Sequence, residues 1–348
     1  MEPESYADTA ATPVTDEIVT VLYRGMLGRE PDRDGLAHWS ALIEGGADMT
    51  TLYHAILASD EYRSRQQRLK DVAGIKRKTA AWAQANLHRP LRIVDVGAQK
   101  LEDEDDIYSG IAAYAIPHTL IGFEPLQHRI DEARSSAGMA GHTFLPYFIG
   151  DGGRHTFHIN QPDATSSLLP FNQPLTDQLI DLSCLRTDRT EDVVTTTLDA
   201  ALDDGTPVDF LKLDIQGCEL KALQAAPQVL QRTSMIHCEV SFAEIYQGQP
   251  LFSELELFMR QSGFIFIDFS HLCRYAYHGK YSVYRDRLGW GDALFLKDTD
   301  NMPPHNLLVQ ALCMLFVYNK LSLAQSLAQR YDLLTGSSFA TLLLTDQP

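Results

Sequence analysis

Val208-Asp209-Phe210-Leu211-Lys212-Leu213-Asp214-Ile215-Gln216-Gly217-Cys218-Glu219-Leu220 is the stretch on which the rest of the chain is read. Val208–Ile215 is an apolar run that reads as a strand, and a helix follows Gly217. Lys212 and Asp214 lie two apart, so on a strand their side chains share a face. A lysine inside a core strand must find a carboxylate, because an unpaired buried charge is expensive. Asp95, Asp214 and Glu239 are the candidates. For Lys212, an ion pair that pins neighbouring strands and a network that positions a hydroxyl acceptor weigh about equally. Asp214 leans to the functional reading.

Further runs flank this one: Leu91–Val96, Thr119–Glu124 and Thr143–Ile149 before it, then Met235–Val240, Phe264–Phe269 and Ala293–Leu296 after it. Helical stretches such as Leu126–Arg134 separate them. That alternation predicts an α/β fold with a mostly parallel sheet and helices on both faces. In such sheets ligands bind beyond the carboxyl ends of the strands. The strand ends are Asp95-Val96-Gly97, Gly122-Phe123-Glu124-Pro125, Gly150-Asp151-Gly152, Asp214-Ile215-Gln216-Gly217 and Cys238-Glu239-Val240. One carboxylate there is commonplace as a helix cap; five in succession are not explained by capping alone.

Glu124 follows Asp95 by 29 residues, at the end of the next strand, where an acidic residue can accept both ribose hydroxyls of a nucleotide. A pyrophosphate would need a glycine-rich turn, whereas Gly97 is followed by Ala98-Gln99-Lys100 and the acidic run Leu101–Asp106. That run would repel phosphates, although most of it also reads as a solvated helix start. A nucleoside ligand without phosphate, such as the sulfonium S-adenosylmethionine, fits better than NAD or FAD. His142, His155 and His158 read as surface or packing residues, while His237 and His271 lie near strand ends as candidate bases. There is no G-x-S-x-G elbow, P-loop or H-E-x-x-H.

The chain has 348 residues, with 29 Lys+Arg against 46 Asp+Glu, a net charge of −17. Such a surplus of carboxylates argues against nucleic acid and anionic membranes as partners. The one basic concentration, Arg63–Lys78, reads as a solvated helix face. Five scattered cysteines without a C-x-x-C pair point to reduced thiols rather than zinc or disulfides. A polar, acidic start and an apolar stretch (Leu307–Tyr318) shorter than a bilayer span lead to a cytoplasmic expectation.

The first block, about Val14–Leu69, is helical in period. Asp16 could cap a helix carrying Ile18, Val19, Leu22, Met26 and Leu27, ended by Gly28. A second helix carries Leu36, Trp39 and Leu42, and a third runs from about Thr50 to Tyr62. The expected organisation is a helical domain at 1–69, a connector at 70–90, the α/β domain at 91–298 and a helical extension at 299–348, whose apolar helices could serve a dimer or cover the sheet.

Leu91–Lys297 resembles the FkbM-type S-adenosylmethionine-dependent methyltransferases. The matching pieces, in the family's order, are Ile93–Ala98, Gly122–Pro125, Ile149-Gly150-Asp151, Thr165–Leu169, Thr197-Leu198-Asp199, Val208–Leu220, Glu239-Val240 and Tyr246–Phe252. The resemblance implies a class I methyltransferase, Rossmann-like fold and methylation of hydroxyls on sugars, glycans or polyketides. It implies that Asp95 and Gly97 line the methionine end of the cofactor, that Glu124 holds the ribose and that Asp151 lies by the adenine. Asp214 and Glu239 would face the acceptor. Relatives carry further glycines after the first, where this chain has Gln99–Glu102; Tyr108 or Ser166-Ser167 are the substitutes considered. Leu22–Asp32, Gly35–Trp39 and Ser59–Arg63 resemble a small helical domain of unknown function found beside phycobilisome-linker-like modules, read as an assembly or docking module or as a plain extension.

The expected activity is O-methyl transfer to a hydroxyl, on a sugar or glycan, by in-line displacement. The catalytic candidates are Asp214, then Glu239 and His237; the cofactor candidates are Asp95, Gly97, Glu124, Asp151 and Ser166. A divalent metal on these carboxylates stays open, as does a protein partner or homo-oligomer through the helical blocks. The rival reading is a non-catalytic adaptor with a degenerate sheet domain.

Overall fold

The computed structural model describes residues 14–98, 106–127, 129–131, 142–299 and 302–344. These fall into two compact units, one drawn from residues up to Arg77 and the other from Lys78–Leu344.

In the first unit, helix Val14–Leu22 runs into a π-helical turn, Tyr23–Leu27, that Gly28 closes at φ +71°. The left-handed conformation suits glycine, and its N–H returns to the carbonyls of Tyr23 and Arg24. Asp16 is not the cap. It lies inside the first turn, where its carboxylate accepts the Ser40 hydroxyl. Helix Arg33–Glu44 is capped by Asp32, whose carboxylate accepts the Gly35 N–H at 2.8 Å. Ile43, rather than Leu42, joins Leu36 and Trp39 against the core of Val19, Tyr23, Leu52 and Ile56, and Leu42 is exposed. Spacing of seven from Leu36 brings Ile43 to the buried face, and 100° per residue turns Leu42 away. The third helix ends at Ala58, because Ser59 is extended and starts the long helix Asp60–Asn86, its hydroxyl accepting the Tyr62 N–H. The basic stretch lies within that helix.

The second unit is built on a seven-stranded sheet. Its strands are β1 (Leu91–Val96), β2 (His118–Phe123), β3 (Thr143–Leu145), β6 (Val208–Leu213), β7 (Thr233–Ser241), β8 (Phe264–Tyr275) and β9 (Arg287–Lys297), in the order β3-β2-β1-β6-β7-β9-β8. All pairs are parallel except those made by β9, which runs antiparallel between β7 and β8. β1 and β6 are buried along nearly their whole length, as strands covered on both faces must be. The order reverses between β1 and β6, which sets the ligand crevice at the carboxyl ends of those two strands.

Two features depart from the expectation. The third strand stops at Leu145, and Ile149 makes only an isolated bridge to Thr196. A separate antiparallel pair, β4 (Arg154–Gln161) with β5 (Arg186–Val194), appears where no strand is expected. Nearly every residue of β5 is exposed, so its sequence has no apolar alternation to betray it. Helix Pro304–Phe316 is buried at every position from Leu307 to Phe316. It covers the sheet: Gln310 Nε2 donates to the carbonyls of Ser234 on β7 and Lys297 on β9. Among the described residues no helix is long and apolar enough to cross a membrane.

Candidate active site

Register does the first work. Asp95 on β1 pairs with Lys212 on β6, and Lys212 pairs with His237 on β7, so three ionisable side chains stand in one row. Two residues further along β6 and β7, on the same face, come Asp214 and Glu239. A cavity of about 580 Å³ opens over this row. On one wall lie Gly97, Phe123, Glu124 and Tyr147; on the other lie Tyr246, Tyr275, Trp290 and Asp292. Asp163 to Leu168 also line it.

The polar contacts form one network. Lys212 Nζ donates to Asp95 Oδ1 at 3.1 Å and lies 4.0 Å from Asp214 Oδ2; the Tyr108 hydroxyl donates to Asp95 Oδ2 at 3.1 Å. Gln216 Nε2 donates to Asp214 Oδ1 and to Glu239 Oε2, both at 2.9 Å. Gln216 Oε1 lies 2.9 Å from the Tyr246 hydroxyl, which also reaches the Thr165 carbonyl at 2.7 Å. Glu219 Oε1 accepts the N–H groups of Ile215 and Gly217, fixing the turn that carries Gln216.

Burial and charge divide the ionisable groups. Burial opposes the charge on Lys212, but Asp95 and then Asp214 outweigh it and raise its pKa, so it stays an ammonium. Burial, reinforced by the charge of Asp214, holds Glu239 well above the carboxylate range. Asp214 goes the other way: its place in the cavity wall works against ionisation, yet Lys212 and hydrogen bonds from Glu239 and Gln216 keep it low. Burial pushes Glu219 up to about 7. The two carboxyls are therefore pushed apart, Asp214 below the ordinary range and Glu239 above it.

His237 is 4% exposed and stacks between Phe210 and Tyr318, with Nδ1 3.0 Å from the Tyr318 hydroxyl. Burial first, and Lys212 second, push its pKa down to about 3, so it is neutral. An unfolded histidine titrates near 6.5. Between those values the unfolded chain binds the extra proton, so stability is intact above pH 6.5 and falls as the pH drops toward 3, by about 1.4 kcal/mol per unit well inside that window. Urea unfolding at pH 7.5 and pH 5 should show a shallower loss in His237→Phe than in wild type; equal slopes would refute the assignment.

The strand order, the cavity at the switch point and the carboxylates at its strand ends now stand together. Residues 95–266 match the methyltransferase FkbM domain. Residues 2–66 match a domain of unknown function, DUF4214. No curated protein matches the chain. Among solved structures, an S-adenosylmethionine-dependent methyltransferase from Anabaena variabilis is 7% identical, over 65% of this chain and 86% of that one, with a TM-score of 0.29. A DUF574 family protein from Streptomyces avermitilis is 10% identical, over 81% and 100% of the two chains, with a TM-score of 0.27.

The cavity gathers Asp95, Gly97, Glu124, Ser166, Asp214, His237 and Glu239, all within the stretch that matches the family model. Asp151 is not among its lining residues: its carboxylate is engaged by His155 Nε2 at 2.6 Å, Lys221 Nζ at 2.9 Å and the Gly153 N–H at 2.9 Å. Ser166 faces the cavity with a hydroxyl that accepts the Asn160 N–H. Tyr108 acts through Asp95. The turn Gln99–Glu102 lies outside the described residues, as does all of the acidic run except Asp106, which lines the cavity. Gln216, Tyr246, Trp290 and Asp292 carry no assignment from sequence reasoning; Gln216 and Tyr246 stood inside the quoted motifs, and only the partners across the fold reveal them. His271 lies outside the lining, its ring tilted by 44° against that of Trp290. Among the described residues no group of three or more His, Cys, Asp or Glu side chains is placed to hold a metal ion.

Gly97 has a packing duty where β1 meets β6. It sits at φ +81°, and a Cβ there would stand 1.9 Å from the Asp214 carbonyl oxygen. Gly97→Ala must therefore push β1 and β6 apart as well as strain the backbone, with a loss of about 4 kcal/mol or more. Gly205, at φ +68° with open space around it, is the control, where alanine costs about 1 kcal/mol. Thermal unfolding of both variants tests the difference, and equal losses would contradict it.

Proposed function

We propose that this domain transfers a methyl group from S-adenosylmethionine to a hydroxyl group of a sugar or glycan. The observation that carries the reading is one cavity joining two kinds of wall. Glu124, 5% exposed, ends β2 beside Phe123 and Tyr147, opposite the Asp214–Gln216–Glu239 network and the rings of Tyr246, Tyr275 and Trp290.

The donor set suits the cofactor. A carboxylate at the end of β2 can accept ribose hydroxyls, and carboxylates with aromatic rings suit a sulfonium charge. Glu124, Asp95 and Gly97 would hold it, and when bound it supplies an electrophilic methyl group. On the other wall, aromatic faces and polar rims match a sugar ring, which presents apolar C–H faces and hydroxyl edges. Asp214 is the group to take the hydroxyl proton. Its low pKa is no handicap, since an oxygen that gains a methyl group becomes strongly acidic. The cavity walls orient the acceptor and limit water, which contributes more than acid–base assistance does.

Calorimetric titration with S-adenosylhomocysteine tests the cofactor half, and transfer of labelled methyl to a panel of glycans tests the acceptor half. Micromolar binding and label in a glycan hydroxyl are expected. A folded protein that binds no S-adenosylhomocysteine would return the adaptor reading to first place.

A further inference from the structure

Gln216 occupies a backbone conformation that its side chain does not favour. Its φ is +54°, in the left-handed region where glycine is at ease and glutamine is not. The surroundings enforce that geometry from three sides. Ser167 Oγ donates to its carbonyl at 2.6 Å, Glu219 takes the N–H groups on either side of it, and Gly217 follows at φ +95°. A strained residue so firmly held in a cavity wall points to a task for its side chain.

The side chain is saturated and directional. Both carboxamide hydrogens go to carboxyl oxygens, one on Asp214 and one on Glu239, while Oε1 meets the Tyr246 hydroxyl. Turned the other way, the amide oxygen would face the Asp214 carboxylate, which has no hydrogen to give. Two carboxyls brought to one donor repel each other if both ionise. Around them stand Lys212, His237, Asp95, Asp292, Glu219, Tyr246 and Tyr275, and Lys212 is the charged cation of that set. Its ammonium, 4.0 Å from Asp214 Oδ2, favours the negative charge on Asp214 over Glu239.

We propose that Gln216 is a positioning residue that clamps Asp214 and Glu239 into a carboxyl pair sharing a single proton, with Asp214 held as the base toward the acceptor. The proposal rests on the methyl-transfer reading for its readout of turnover, not for its geometry. In the working pair the acceptor's hydroxyl proton passes to Asp214, which becomes neutral, and Glu239 keeps its own. Removing the clamp leaves Asp214 without one of its donors, so its pKa rises and its aim is lost.

The test uses Gln216→Gly, which relieves the backbone strain while deleting the clamp, and Glu239→Gln. In the full-length wild-type protein at pH 7, infrared difference spectra against Glu239→Gln should show one protonated carboxyl, absent from the variant. Gln216→Gly should melt no lower than wild type and bind S-adenosylhomocysteine with unchanged affinity. Its kcat should fall about 10²-fold, with the acid limb of its pH profile moved up by about one unit. A variant that turns over like wild type with an unmoved profile, or a Glu239→Gln spectrum that loses no protonated carboxyl, would overturn the proposal. Wild type that binds no S-adenosylhomocysteine but shows the band would sink the methyl-transfer reading and spare the pair.

Discussion

Asp214→Asn is expected to lower kcat by about 10²- to 10⁴-fold, the range of a lost general base, while S-adenosylhomocysteine still binds. The substitution keeps the shape of the side chain and its place at the end of β6, and it removes the negative charge that Lys212 and Gln216 stabilise. The asparagine Oδ1 can still accept from Gln216 Nε2, while its nitrogen would face the Lys212 ammonium in place of Oδ2. The residues proposed to hold the cofactor, Glu124 and Gly97, line the cavity at the ends of β2 and β1. The measurement is single-turnover transfer of labelled methyl, paired with calorimetry. Weakened S-adenosylhomocysteine binding with turnover intact once saturated would move Asp214 to the cofactor side.

Glu124→Ala is expected to weaken S-adenosylhomocysteine binding by about 10²-fold or more. Two hydrogen bonds from ribose hydroxyls to an ionised carboxylate are worth about 1.5–3 kcal/mol each, and losing both removes most of the specific recognition of the nucleoside. Glu124→Gln, which keeps an acceptor but not the charge, should fall between. Glu124 Oε1 also accepts the Leu126 N–H at 2.8 Å, so the melting temperature must be read alongside. A variant that melts like wild type and binds like wild type would remove Glu124 from the cofactor site.

The two residues were legible in different ways. Glu124 stands at the end of an apolar run, 29 residues after another strand-end acid, and β2 lies beside β1 in the sheet. Asp214 stands in a motif whose apolar flanks allow only a buried strand. Gln216 shows the limit of that reasoning. Next to a glycine, a glutamine reads as an ordinary turn residue, and its left-handed backbone becomes visible only through Ser167, 49 residues away in sequence, and Glu219. Asp151 shows the converse. It ends a predicted strand as the others do, yet β3 stops at Leu145, and the carboxylate is spent on His155 and Lys221.

What this sequence determined by itself was local. Runs of buried β-branched and aromatic residues place β1, β2, β6 and β7, and the acids at their ends fix which edge of the sheet can bind a ligand, because strand, turn and helix signals act over a few residues. Tertiary structure alone decided which of those acids meet. The register of β1, β6 and β7 sets Asp95, Lys212 and His237 in one row, and the return of β9 antiparallel beside β7 brings Trp290 and Asp292 to the far wall. It also decided their charges. A carboxyl alone in a sequence has one ordinary pKa, whereas burial beside Lys212, Gln216 and each other pushes Asp214 down and Glu239 up.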